Sequence, residues 1–151
     1  MPLAPNPAAP RGCTSLKLRQ LSRRVGRDYD AAVSAHDLKT TQYSLLSHLA
    51  TLGPMRPGEL AAALKLDAST LTRNLQPLIA QGWVSVSAGD DQRSRRVELT
   101  PAGRAKRSEA RRSWKAAQLA LNARLGDKRV ARLHALIDEC LALLDTGAAN
   151  E

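Results

Sequence analysis

Residues 67–87 read DASTLTRNLQPLIAQGWVSVS, and the hydrophobic period changes part-way along them. From Ala68 the apolar residues Leu71, Leu75, Leu78 and Ile79 return at steps of three and four, the spacing of one helix face. Asp67 stands where a helix needs an N-cap, and Gly82 stands where a helix closes. The spacing predicts a helix from Ala68 to Gln81 with Leu71, Leu75, Leu78 and Ile79 as its apolar back. Pro77 conflicts with it: it removes one backbone hydrogen bond and should bend the second half. After Gly82 the period falls to two, and Trp83 to Ser87 read as a strand.

The neighbouring segments extend this pattern on both sides. On the N-terminal side, Lys65-Leu66 makes a turn after a short helix, Pro57 to Leu64, whose proline sits near its start at little cost. Before it, Thr40 to Leu52 reads as a helix anchored by Tyr43, Leu45, Leu46 and Leu49, and Gly53-Pro54 stops it. A first helix is expected from Thr14 to Ala35, with Leu18, Leu21, Val25, Tyr29 and Ala32 on one side. Residues 1–11 hold four prolines and three alanines and read as a mobile tail. On the C-terminal side, Arg96 to Leu99 pairs back onto the strand across a polar loop, Ala88 to Arg95. Thr100-Pro101 then starts a long helix carrying Ala110, Trp114, Ala117, Leu121 and Leu125. Gly126-Asp127 breaks it, and a last helix holds Val130, Leu133, Ile137, Cys140, Leu141 and Leu144. Cys140 falls on that apolar stripe and reads as packing.

The expected fold is mainly α with a small β-hairpin wing. It is a winged helix-turn-helix, residues 38–100, between helical dimerisation segments at residues 12–37 and 101–147. Phe is absent and aromatics make up 3%, so the core must be Leu, Val and Ala. The formal charge of +9 suggests a polyanionic partner. No run of about 18 apolar residues occurs, so no membrane partner is expected and the location should be cytoplasmic. No phosphate loop, metal-binding motif or nucleophile elbow occurs, so neither catalysis nor a cofactor is expected.

Double-stranded DNA fits the charge and the motif order. Ser69, Thr70, Thr72, Arg73 and Gln76 lie on the polar front of the fourth helix, mostly in the half that reaches base edges. Arg and Gln can make bidentate base contacts, and Ser and Thr suit phosphates or a thymine methyl. Arg93 and Arg95 at the hairpin tip suit a minor groove or phosphates. Trp83 reads as core packing under the wing.

These residues resemble the MarR family of bacterial regulators. Glu59-Leu60-Ala61 with Leu64 resembles its first motif helix, and Ser69 to Arg73 with Leu75 and Leu78 its recognition helix. Gly82-Trp83-Val84 resembles its strand. Asp91, Arg93, Val97, Leu99, Thr100 and Gly103 match its wing signature in spacing. The resemblance covers Thr14 to Asp145. It implies a homodimer on a pseudo-palindromic operator, acting as a repressor released by a small ligand or an oxidant. It also implies that Asp91 orders the wing and that Arg93 is its minor-groove finger.

Two switches and one rival function follow. Arg19, Tyr43, His48 and Trp114 are candidates for an effector pocket, and an arginine among apolar walls suits an aromatic carboxylate. The alternative switch is a thiol-based oxidant sensor using Cys13. The rival function is a non-specific architectural DNA-binding protein, which would share the charge and the winged fold.

Overall fold

The computed structural model describes residues 9–88, 91 and 93–147. The order is α1 (Thr14–Ser34), α2 (Thr40–Leu52), α3 (Pro57–Ala63), α4 (Ala68–Ala80), β1 (Val84–Val86), β2 (Val97–Leu99), α5 (Pro101–Leu125) and α6 (Asp127–Gly147). The mainly helical fold with a two-stranded hairpin is therefore present as the periodicities predict. Most of the expected tail, residues 1–8, lies outside the described residues, as do positions 89, 90 and 92 of the hairpin loop.

The core sits around α2. Leu45, Leu46 and Leu49 are each at most 1% exposed, and Leu60 of α3, Leu78 of α4 and Val97 of β2 close over them. Leucines at positions i, i+1 and i+4 give α2 a broad apolar face, wide enough to meet helices on one side and the hairpin on the other. Val33 and Ala110 seal the far side, where α5 lies along α1.

α1 and α2 are locked together by a single carboxylate. Asp30 Oδ1 accepts from the Thr40 hydroxyl at 2.7 Å and from the Thr40 backbone N–H at 2.8 Å. The Thr40 hydroxyl, and next its backbone N–H, hold the Asp30 pKa below the usual carboxylate value. Asp30 thus fills the capping role for a helix ten residues downstream.

The hairpin is antiparallel, with Val84 opposite Leu99 and Val86 opposite Val97. Met55 adds a bridge that periodicity cannot show, because it is one residue long. Its backbone exchanges two hydrogen bonds with Val97, at 2.8 and 3.2 Å. The segment between α2 and α3 is therefore stitched to the hairpin.

The base of the hairpin is also fixed to α5. The Thr100 hydroxyl donates to the Gly82 carbonyl at 2.6 Å and accepts the Gly103 N–H at 3.0 Å. The Thr100 N–H donates to the Trp83 carbonyl. At Gly103 a Cβ would lie 1.9 Å from that same carbonyl oxygen, so only glycine permits this approach.

α4 contains Pro77 and runs unbroken to Ala80. Two expectations change. Ile79, placed on the buried back by spacing, is 38% exposed; the buried residues of α4 are Leu71, Leu75 and Leu78. Cys140 is exposed, and so are Ile137, Leu141 and Leu144 of its stripe, at 37% to 73%, with Leu136 and Leu143 beside them. The apolar residues at the start of α1 behave alike, with Leu16, Leu18 and Leu21 at 40% or more. Among the described residues no helix is long and apolar enough to cross a membrane.

Candidate nucleic-acid interface

The polar front of α4 begins at its cap. Asp67 Oδ1 accepts the Thr70 backbone N–H at 2.7 Å and the Ser69 hydroxyl at 2.8 Å. These bonds, the backbone one foremost, lower the Asp67 pKa to about 2, and the charge of Arg73 adds to them. The cap satisfies an otherwise orphaned donor of the first turn. It also fixes where that turn begins, and so where the next residues point.

The hydroxyls of the front are locally engaged. Thr72 Oγ1 donates to the Ala68 carbonyl at 2.9 Å, and Thr70 Oγ1 accepts from Arg73 Nη2 at 3.4 Å. Ser69, Thr72, Arg73 and Gln76 are all exposed, and Thr70 is half-buried. A hydroxyl that donates inward still presents a lone pair and a methyl or methylene outward.

The wing stands beside this helix. Asp91 Oδ1 accepts the Ser94 N–H at 2.8 Å, while the Ser94 hydroxyl donates to the Asp91 carbonyl at 3.0 Å. Together they close the tip into a tight turn. Arg96 braces it from below: its Nη1 donates to the carbonyls of Arg93 and Arg95, each at 3.2 Å. Sequence reading treated Arg96 as a plain strand residue. The run Arg93, Arg95, Arg96 held the signal, but which guanidinium folds inward depends on the register of the hairpin.

Helix and wing are the two walls of one cleft of about 660 Å³. Thr72 and Gln76 line it from α4, Arg93 and Arg95 from the wing, and Arg56 from the start of α3. Its floor is apolar, made by Leu71, Leu75 and Ile79 with Val86 and Val97. This is where the exposed Ile79 belongs. Arg56 was not predicted, because only the folded chain brings the segment before α3 to the wing. Its Nε stands 4.0 Å from Glu59 Oε1, the one acid on the cleft wall among the described residues. Among the described residues neither Arg93 nor Arg95 is in an ion pair. Trp83 packs against the core under the wing, with Lys106 Nζ 5.3 Å above its ring.

The effector candidates do not converge within the chain. Tyr43 and Trp114 stack at 5.4 Å between α2 and α5, and Tyr29 of α1 meets Trp114 at 6.1 Å. Burial raises the Tyr29 pKa. His48 is half-buried on α2 and donates from Nδ1 to the Ser44 carbonyl at 2.8 Å. Arg19 is exposed on α1, ten residues before Tyr29 and so about 15 Å along the helix. Cys13 is exposed immediately before α1.

This architecture has known relatives. The model of the MarR family matches residues 36–94. The multiple antibiotic resistance protein MarR of Salmonella typhimurium is 32% identical over 101 residues, 66% of this chain and 68% of that protein. The chain belongs to the MarR family. The uncharacterised HTH-type transcriptional regulator YwoH of Bacillus subtilis is 32% identical over 84 residues, 56% of this chain; the match spans only 61% of YwoH. Among solved structures, the M. tuberculosis transcriptional regulator MosR in complex with DNA superposes with a TM-score of 0.75 at 36% identity. That match covers 88% of this chain and 98% of MosR. In MarR-family terms α3 and α4 are the helix-turn-helix pair and the β1–β2 hairpin is the wing.

Proposed function

We propose that the chain is a homodimeric, sequence-specific DNA-binding repressor released by a small ligand. The observation that carries the reading is the shared cleft. Thr72 and Gln76 present polar groups along one wall, Arg93 and Arg95 present cations along the other, and Ser69, Thr70 and Arg73 continue the polar front of α4 outside the cleft. A duplex can therefore meet a base-reading helix and a phosphate or minor-groove contact at once. Asp91 has the role of ordering the wing through Ser94. The MosR–DNA complex supports DNA as the partner.

The dimer follows from the helices outside the reading lobe, residues 12–37 and 101–147. Their exposed leucines have no cover in a single chain, and a second copy would bury them. Genomic DNA selection with the purified protein tests the reading. A pseudo-palindrome with half-site centres about 10 bp apart, or a multiple of it, is the expected product. Uniform recovery of bulk DNA at physiological salt would instead favour a non-specific architectural protein.

For the ligand, an aromatic carboxylate is the favoured class. Tyr43 and Trp114 carry this reading, because their stacked rings join the reading lobe to α5; His48 lies on the same helix as Tyr43, and Arg19 stands apart from them. Trp114→Ala should keep operator binding and lose release by salicylate-like acids. Release equal to wild type would remove the aromatic stack from the site. Thiol-based release is a second reading, favoured by the exposure of Cys13 beside α1. Cys13→Ser should then resist hydroperoxide, and unchanged release would exclude this thiol.

A further inference from the structure

The wing carries a hydroxyl in the middle of its cations. Ser94 is exposed at the hairpin tip, with Arg93 before it and Arg95 and Arg96 after it. Its Oγ serves the turn twice, donating to the Asp91 carbonyl at 3.0 Å and accepting the Asp91 N–H at 3.3 Å. Asp91 Oδ1 in turn accepts the Ser94 N–H at 2.8 Å. One oxygen atom therefore sits between the acid that closes the tip and the arginines that line the cleft.

Other serines also adjoin arginines: Ser22 beside Arg23, Ser108 beside Arg107 and Ser113 beside Arg112. Each of these lies inside α1 or α5, where the backbone is committed to helical hydrogen bonds. Ser87 is close to the wing tip, but its Oγ accepts the Arg96 N–H at 3.0 Å within the hairpin. Of these serines only Ser94 combines exposure, a loop-tip backbone and arginines on both sides. An enzyme that must draw a segment into its own cleft takes a loop tip more readily than a helix. An acidic enzyme surface is attracted by such a basic flank.

We propose that Ser94 is a phosphorylation site through which a serine kinase loosens the wing from DNA. This rests on the DNA-binding reading proposed above and specifies how the same wing is regulated. The phosphoryl donor is a nucleoside triphosphate. Its γ-phosphorus forms a bond to Ser94 Oγ, the bond from that phosphorus to the diphosphate oxygen breaks, and the hydroxyl proton passes to the base of the kinase. A phosphate of about −1.5 to −2 charge at neutral pH then stands where the turn had an O–H donor. The bond to the Asp91 carbonyl is lost with its proton, and the Asp91 carboxylate is repelled. Arg93 and Arg95, in no ion pair among the described residues, gain an anion on their own chain. The wing then meets the DNA backbone with its charge cancelled.

Phosphoserine inserted at position 94 of the full chain during translation tests the switch, with operator affinity followed by fluorescence anisotropy over a range of salt. The phosphorylated chain should bind at least about tenfold more weakly than wild type, and its slope of log affinity against log salt should become shallower by roughly one to two, about one for each arginine drawn away from DNA. Ser94→Ala keeps the N–H bond to Asp91, and Ser94→Gln adds bulk without charge, so both should stay within about threefold of wild type with the slope unchanged. Peptide mapping of the chain isolated from its own growing and stationary cells should find phosphate on Ser94, and phosphatase treatment should restore operator binding. Equal affinity and slope for the phosphorylated and unmodified chains would overturn the switch. An equal loss in Ser94→Gln would reduce Ser94 to a structural turn residue, and absence of phosphate on Ser94 in both kinds of cell would remove the site. Each of these results leaves DNA binding by the unmodified chain standing. An unmodified chain with no operator preference would instead defeat the DNA-binding reading, and the switch with it.

Discussion

Asp67 shows how much one side chain can organise. Its carboxylate caps α4, and the bonds that lower its pKa to about 2 exist only in the folded chain. A depressed folded-state pKa means that stability is gained above the unfolded value near 4 and lost as pH falls towards 2. Replacing Asp67 by Ala should therefore lower the melting temperature at pH 7, and the gap to wild type should shrink by pH 2. Thermal melts at the two pH values check this. Asp30 follows the same sign, since its pKa is also depressed. Gly103 acts by absence. A methyl group there would overlap a backbone oxygen that cannot turn aside, so Gly103→Ala should cost about 3 kcal/mol, measurable by urea unfolding. On the polar front of α4, Arg73→Ala should cost roughly 1–3 kcal/mol of operator affinity and relax preference at one base position. Arg95→Ala should weaken all sequences alike and reduce the salt slope by about one, if its contact is a phosphate. Competition binding against mutated operators separates the two.

The elements were legible wherever a local rule sets them. α2 begins at Thr40 and ends at Leu52 as the leucine spacing and Gly53-Pro54 require, and Thr100-Pro101 marks the start of α5 without ambiguity. The polar front of α4 and the arginines of the wing were legible for the same reason. What escaped was set by pairing between distant segments. The Met55 bridge is too short to have a period, and Arg56 reaches the cleft only because that bridge draws its segment against β2. Ile79 was misplaced because helical spacing gives a face but not its width. Arg96 illustrates the same limit, since its bonds to two carbonyls depend on hairpin register. Pro77 yields a test of its own. It is exposed and leaves the Arg73 carbonyl without its usual amide donor, so Pro77→Ala should stabilise the protein by about 1–3 kcal/mol in chemical denaturation. Operator affinity measured on the same variant reports whether the proline shapes docking.

The molecule as a whole divides between a finished and an unfinished half. The reading lobe buries most of its leucines, while α6 leaves Leu143 and Leu144 at 67% and 73% exposed. Stability that depends on a second copy is concentration-dependent. The melting temperature should therefore rise with protein concentration, and dilution below the dimer dissociation constant should abolish the rise.

The contact between Gly103 and the Trp83 carbonyl has a mechanical consequence. With no room for a methyl group, and with Thr100 bonded on both sides of it, the joint between wing and α5 has no slack. A rotation imposed at the far end of α5 cannot be absorbed there as local deformation. The 25 residues of α5 make a rigid arm of about 37 Å, on which a tilt of about 5° displaces the other end by roughly 3 Å. A displacement of that size is comparable to the rise of one base pair. In the proposed dimer, small changes between the paired arms would thus be geared directly into the separation of the two reading heads.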